Sequence, residues 1–182
     1  MAGIKLTLAG IGGQGSILAG TILGNAAVTF GGKYATQTQA YSSELRGGFA
    51  ATWVIFSDDP IVYPRVVETD ILVAQAQDSI GRFAKTLKKG GILIVDSDLV
   101  SNMPDIDAAM YTLPATSIAR NQFSAPIVAN IVILGGLTKI SPVADRNYVE
   151  DAIAATVPKD KADLNLRAFA AGFDQIARYA GR

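Results

Sequence analysis

Residues 10–15 read Gly10-Ile11-Gly12-Gly13-Gln14-Gly15 and follow directly on the apolar run Ile4-Lys5-Leu6-Thr7-Leu8-Ala9. A helical apolar pattern from Ser16 to Phe30 begins at once behind them. Strand, glycine turn and helix in that order give a Gly-x-Gly-x-x-Gly spacing its structural meaning. The glycines permit a tight turn, close backbone approach and close packing of helix on strand. The free N–H groups at the helix start favour a carboxylate or phosphate. The turn therefore predicts an α/β fold. It does not by itself predict a dinucleotide.

A nicotinamide site needs an acidic residue about 20 positions further on, at the end of the second strand. That strand, Lys33-Tyr34-Ala35-Thr36-Gln37-Thr38-Gln39, carries none, and the first acid after the turn is Glu44. Three uses of the turn stay open: packing a helix on a sheet, holding an anion, or meeting another subunit. The Gln14 amide can bind a partner or brace the loop itself.

Working outward, 182 residues suit one domain spanning residues 1–182. Sixteen basic and sixteen acidic residues cancel, so charge gives no reason to expect nucleic acid or a membrane surface. With 49% apolar and only 18% charged residues, the composition favours a chain covered by partners. Cysteine and histidine are both absent, which removes thiolate-held clusters, His or Cys zinc sites and histidine-activated nucleophiles from this chain. No catalytic or metal-ligating residue is expected. The N-terminus lacks the build of a secretion signal, and the apolar stretch 127–137 is too short to span a bilayer. A cytoplasmic location is expected.

Strands are expected at 4–9, 33–39, 49–56, 71–74, 92–95 and 110–114. Helices are expected at 15–30, 77–87, 115–122, 126–139, 145–156 and 161–180. Ser16, Gly20 and Gly24 give the first helix a small-residue face, and Gly31-Gly32 ends it. The order implies a three-layer sandwich around a mostly parallel, Rossmann-like sheet with a β insertion. Asp96 and Asp98 fall just past a strand end, as turn and cap residues or as ligand groups.

The loop Gln37-Thr38-Gln39-Ala40-Tyr41-Ser42-Ser43-Glu44-Leu45-Arg46-Gly47-Gly48 gathers amides, hydroxyls, a carboxylate and a guanidinium. Arg46 offers a forked donor to a carboxylate or phosphate, or it pairs with Glu44. If the first two strands are parallel neighbours, Gly12, Gly13 and Gln14 lie close to Gln39, Arg46 and Gly47. Asn130, inside an apolar helix, must find a partner, because an unpaired buried amide costs about 1–3 kcal/mol. The candidate contact residues are thus Gly10, Gly12, Gly13, Gln14, Gly15, Gln39, Tyr41, Glu44, Arg46, Gly47, Gly48 and Asn130.

Taken together, the chain resembles the γ subunit, or γ domain, of 2-oxoacid:ferredoxin oxidoreductases. The resemblance rests on Gly10–Gly15, Arg46-Gly47-Gly48, Ser57-Asp58-Asp59-Pro60-Ile61 with Tyr63-Pro64, and Thr69-Asp70-Ile71-Leu72-Val73-Ala74. Asn130-Ile131-Val132-Ile133-Leu134-Gly135 and Asn165-x-x-Ala168-Phe169-x-x-Gly172 extend it in family order. Gln37-Thr38-Gln39 looks most like the 2-oxoglutarate class. Ser42-Ser43 stands where the family often has Gly-Pro.

The resemblance implies a subunit of an enzyme that oxidatively decarboxylates a 2-oxoacid to an acyl-CoA and reduces ferredoxin. Thiamine diphosphate would lie between α and β subunits or domains and cysteine-bound iron–sulfur clusters elsewhere in the complex, with a δ subunit as a further candidate partner. This chain would complete the assembly and line the coenzyme A or substrate approach. Isolated, it is expected to be inactive and is a candidate homodimer. An indolepyruvate or pyruvate/ketoisovalerate oxidoreductase subunit is an alternative. A non-enzymatic scaffold and a free-standing nucleotide-binding oxidoreductase are others.

Overall fold

In the computed structural model, residues 3–42 and 48–180 are described. Among them the strands are β1 (Ile4–Ile11), β2 (Tyr34–Tyr41), β3 (Phe49–Ser57), β4 (Thr69–Ala74), β5 (Leu87–Asp96), β6 (Ala108–Leu113) and β7 (Ala177–Arg178). The helices are α1 (Ser16–Asn25), α2 (Gln77–Phe83), α3 (Ala115–Phe123), α4 (Ala129–Ile140), α5 (Arg146–Thr156) and α6 (Ala162–Gln175). One sheet takes the order β2-β3-β1-β4-β5-β6-β7. The β1–β4, β4–β5 and β5–β6 pairs are parallel, and those at both ends are antiparallel. The expected α/β sandwich with a mostly parallel central sheet and a β insertion is present.

Burial explains the central strands. Ile71 to Ala74 are all buried because β4 has a strand on each side and cover on both faces. β1 alternates more visibly: Leu6 and Leu8 join the core beneath α1, α3, α4, α5 and α6. Leu72, Leu93 and Val95 face the other way, against α2 and the segment 97–107. The layers are therefore unequal, with five helices on one face and one on the other.

α4 lies between the sheet and α6 and is buried along Asn130–Thr138. A helix apolar all round belongs in such a place. Its crossing with α6 depends on glycine. A methyl group at Gly135 would strike the Phe169 carbonyl, and one at Gly172 would strike the Val132 carbonyl. Gly20 serves α1 likewise, 2.8 Å from Thr52 Cγ2 at its hypothetical Cβ, whereas Gly24 faces open space. The small-residue face of α1 is thus half realised.

Three boundaries differ from expectation. α1 stops at Asn25, and 26–30 widen into a π turn in which the Gly31 N–H donates to the Ala26 carbonyl at 3.0 Å. Gly32 then takes φ +64°. The expected helix 77–87 is shorter, and β5 begins already at Leu87 and bulges before resuming at Ile92 opposite Ile71. The helix expected at 161–180 ends at Gln175, because Ile176 turns extended and packs against Gly136. The chain then becomes β7, which pairs Ala177 and Arg178 with Thr112 and Tyr111. This pairing satisfies edge groups of β6, the Met110 carbonyl accepting the Tyr179 N–H at 2.8 Å, that a longer surface helix would leave unpaired. No helix among the described residues is long and apolar enough to cross a membrane.

The α4–α6 crossing generates a prediction. Overpacking a core costs about 1–3 kcal/mol, and here backbone rather than a flexible side chain blocks the methyl. Gly172→Ala should destabilise the chain by at least the upper figure, read from urea unfolding; Gly24→Ala should change little. Equal midpoints for the two variants would contradict the packing described.

Candidate functional site

The glycine turn leaves the carboxyl end of β1 and needs glycine where φ is positive, at Gly13 (+97°) and Gly15 (+75°). Gly15 caps α1, and the Asn130 side chain occupies the place a Cβ would take there. Asn130 is 3% exposed and its Nδ2 donates to the Gly15 carbonyl at 3.2 Å. The buried amide thus binds the turn.

Gln14 braces the turn from inside. Its Oε1 accepts the Ile11 N–H at 2.6 Å, and its Nε2 donates to the Gln75 carbonyl at 3.1 Å. Gln75 answers with Nε2 donating to the Gln14 carbonyl at 3.3 Å, while its Oε1 accepts the Ser16 hydroxyl. Its own N–H donates to the Ala9 carbonyl at 2.8 Å. Sequence reasoning did not single out Gln75. Its signal was position: one residue past the buried run of β4, hence beside the end of the parallel β1.

The second loop reaches the same edge by another route. β2 is not the neighbour of β1, because β3 lies antiparallel between them. Gln39 faces Thr52 and Tyr41 faces Ala50, each a strand away from β1. The expected closeness of Gln39 to the turn is therefore corrected: the hairpin inserts a whole strand. What meets the turn is Gly48, whose carbonyl accepts the Gly12 N–H at 2.8 Å and prolongs the β1–β3 ladder. Gly10, the first residue of the turn, pairs with Ala50 and leaves no room for a side chain beside Gln14. Glu44, Arg46 and Gly47 lie outside the described residues.

Beside the turn lies a cleft of about 320 Å³, lined among others by Gly13, Gln14, Gln75, Asp96, Thr116 and Ile127. Asp96 is 1% exposed. Its Oδ2 accepts the Thr116 hydroxyl at 2.6 Å and the Thr116 N–H at 3.2 Å, and its Oδ1 accepts the Asp98 N–H at 3.1 Å. Asp98 in turn accepts the Ser117 N–H and hydroxyl at 2.6 and 2.9 Å. Both acids accept N–H groups of the first turn of α3, whose N-cap position is Pro114 and offers no side-chain acceptor. Burial pushes the Asp96 carboxyl above its ordinary range, against the opposing Thr116 hydrogen bond.

Chemically, the described walls of this cleft carry no lysine or arginine. The two glutamine amides are committed to each other and to the turn. The arrangement suits a neutral, amide-bearing or apolar group better than a phosphate. Ile127 and Leu99, 82% and 41% exposed, form an apolar rim. Among the described residues no group of histidine, cysteine, aspartate or glutamate could hold a metal ion.

Residues 5–175 match the pyruvate ferredoxin/flavodoxin oxidoreductase family. The chain is 45% identical to the 2-oxoglutarate synthase subunit KorC of Methanocaldococcus jannaschii, over 93% of this chain and 92% of that protein. It superimposes on the γ subunit of a keto/oxoacid ferredoxin oxidoreductase from Geobacter sulfurreducens with a TM-score of 0.88. That pair shares 36% identity, over 96% of this chain and 97% of the other. The fold also recurs in the 2-oxoglutarate:ferredoxin oxidoreductase of Magnetococcus marinus, solved with 2-oxoglutarate, coenzyme A and succinyl-CoA bound. There the TM-score is 0.85 at 20% identity, and 96% of this chain covers 31% of the larger one.

Two predictions follow from the site geometry. Asn130→Ala leaves the Gly15 region without its donor and filler, so unfolding free energy should fall by about 1–3 kcal/mol. A urea midpoint equal to wild type would contradict that role. Asp96 holds its proton more tightly folded than unfolded. Its contribution to stability is therefore present at low pH and declines as pH rises through 3.8 towards its folded value. Carboxyl NMR should show it titrating above 3.8; titration at or below that value would count against its burial.

Proposed function

The chain belongs to the pyruvate ferredoxin/flavodoxin oxidoreductase family, and we propose that it is the γ subunit of a 2-oxoacid:ferredoxin oxidoreductase acting on 2-oxoglutarate. The supporting observation is the match to KorC, at 45% identity and near full length in both proteins. A scaffold in an unrelated complex does not accord with that membership. Neither does a dinucleotide enzyme accord with a second strand, Tyr34–Tyr41, that carries no acidic residue to hold a ribose.

In this reading the assembly oxidatively decarboxylates 2-oxoglutarate to an acyl-CoA and passes the electrons to ferredoxin. The α and β subunits, with δ where present, hold thiamine diphosphate and the iron–sulfur clusters. This chain, which has no cysteine or histidine, supplies no ligand to a cluster. Its contribution is structural at the carboxyl edge of the sheet. The apolar rim at Leu99 and Ile127 packs against a neighbouring subunit, and the cleft behind it, without lysine or arginine in its described walls, borders the approach of coenzyme A. The amide-rich arm of coenzyme A fits walls of amide, hydroxyl and apolar groups; its phosphates do not fit a wall that holds the Asp96 carboxyl and no lysine or arginine. The assembly works in the cytoplasm.

Reconstitution with α and β subunits tests this. Ferredoxin reduction dependent on 2-oxoglutarate and coenzyme A should require the chain, while the chain alone should be colourless and inert. Ile127→Asp should weaken co-purification about tenfold or more, since a charge would be buried in an apolar contact. Turnover or cluster absorbance by the chain alone would overturn the assignment. So would full activity of the assembly without it.

A further inference from the structure

The two ends of the sheet are built differently. β7 is two residues long, a short edge of the kind that resists further pairing. β2 ends the sheet on the other side with eight residues, Tyr34-Ala35-Thr36-Gln37-Thr38-Gln39-Ala40-Tyr41. It contains no charge or proline, and its register with β3 has no bulge. Those are the devices by which an exposed edge is normally blunted, and β2 has none of them.

The ladder fixes which groups point outward. The Ser42 N–H donates to the Phe49 carbonyl directly opposite, so even-numbered residues of β2 bond to β3. Ala35, Gln37, Gln39 and Tyr41 therefore turn their N–H and C=O groups away from the sheet. Among the described residues these backbone groups meet no other strand. The adjoining helix flank is uncharged too, with Thr21, Asn25 and Thr29 beside exposed apolar residues. Val28 of the π turn, 48% exposed, borders the groove between α1 and β2. Leu18, 40% exposed, shares the α1 face of Thr21 and Asn25, which line that groove. Tyr34 and Tyr41, 49% and 61% exposed, stand at the two ends of the strand.

We propose that β2 pairs antiparallel with β2 of a second copy of this chain, making one continuous sheet across a two-fold axis at Thr38. A two-fold axis perpendicular to a sheet keeps each side chain on its own face, so paired residues must be both odd or both even. One register satisfies this and uses every outward group: Ala35 with Tyr41 of the second copy, and Gln37 with Gln39. Thr38 then meets its own counterpart as a non-hydrogen-bonded pair, a favourable threonine–threonine contact. No pair in this register brings like charges together. The neutrality that leaves the edge unprotected also makes it self-compatible.

The strand is set before it associates. Gln37 Nε2 donates to the Ile17 carbonyl at 3.1 Å and to Thr52 Oγ1 at 2.8 Å, which ties β2 to α1 and β3. Little ordering is left for association to impose. One strand edge and one helix flank bury on the order of 1,000 Å² over both copies, at the low end of specific interfaces. The dimer should therefore be reversible, with a Kd of roughly micromolar order.

Sedimentation of the full chain from about 1 µM to several hundred µM tests the proposal over the range that such a Kd implies. Wild type should pass from monomer to dimer. Gln39→Pro removes an outward N–H that an edge strand can spare, and Thr38→Lys or Thr38→Glu sets like charges face to face at the axis. Each variant should remain monomeric, with circular dichroism unchanged. Mixing T38K with T38E should restore dimers, now of the mixed kind. A wild-type chain monomeric throughout overturns the proposal. So do dimers that survive T38K and T38E, a mixture that stays monomeric, or an assembled oxidoreductase in which another subunit covers β2. If Gln39→Pro fails to fold, the charge pair alone decides. None of these readings depends on enzymatic activity, so the γ-subunit assignment stands or falls separately.

Discussion

The buried amide of Asn130 against Gly15 is the interaction on which the carboxyl edge of this fold depends. It joins α4, the most deeply enclosed helix, to the cap of α1, and it can do so only because residue 15 has no Cβ. Gln14 and Gln75 complete the lock by exchanging side-chain and backbone hydrogen bonds across the ends of β1 and β4. A glycine turn of this kind usually suggests a phosphate cradle. Here the Gln14 and Asn130 side chains are turned inward, and the turn acts as a clasp between layers.

That inward use is consistent with what surrounds it. The neighbouring cleft has no lysine or arginine in its described walls, its one buried acid is occupied in capping α3, and its rim is apolar. Such a surface is poorly suited to capture a charged metabolite alone and well suited to be covered. The 31% share of the Magnetococcus marinus chain to which this fold corresponds shows the same unit built into a larger polypeptide.

The β2–β3 hairpin has a different consequence. By inserting β3 antiparallel beside β1, it moves β2 to the outside of the sheet and carries Gln39 and Tyr41 away from the turn. The same insertion brings Gly48 to Gly12, so the two loops still share an edge. It also creates a long neutral strand with one side unpaired, at the opposite end of the sheet from the two-residue β7.

Much of the fold was legible in local sequence. The alternation of Leu6 and Leu8 with Thr7, the unbroken apolar run at Ile71–Ala74 and the glycine spacing at 10–15 depend only on neighbours a few residues apart. They determined the strands, the turn and the α/β class. The motifs running from Gly10 to Gly172 likewise identified the family, because their order is a property of the chain itself. Asn130 was visible as an amide needing a partner, since burial of an unpaired amide is costly whatever surrounds it. Tertiary structure alone decided which partner it took. Gln75 and Gly15 are far apart in sequence from the groups they meet, and no periodicity links them. Strand order was equally hidden: a hairpin and a crossover read alike in β2, and only packing set β3 beside β1. The end of α6 was decided the same way, by an open edge on β6 whose hydrogen bonds no pattern within residues 161–180 could announce.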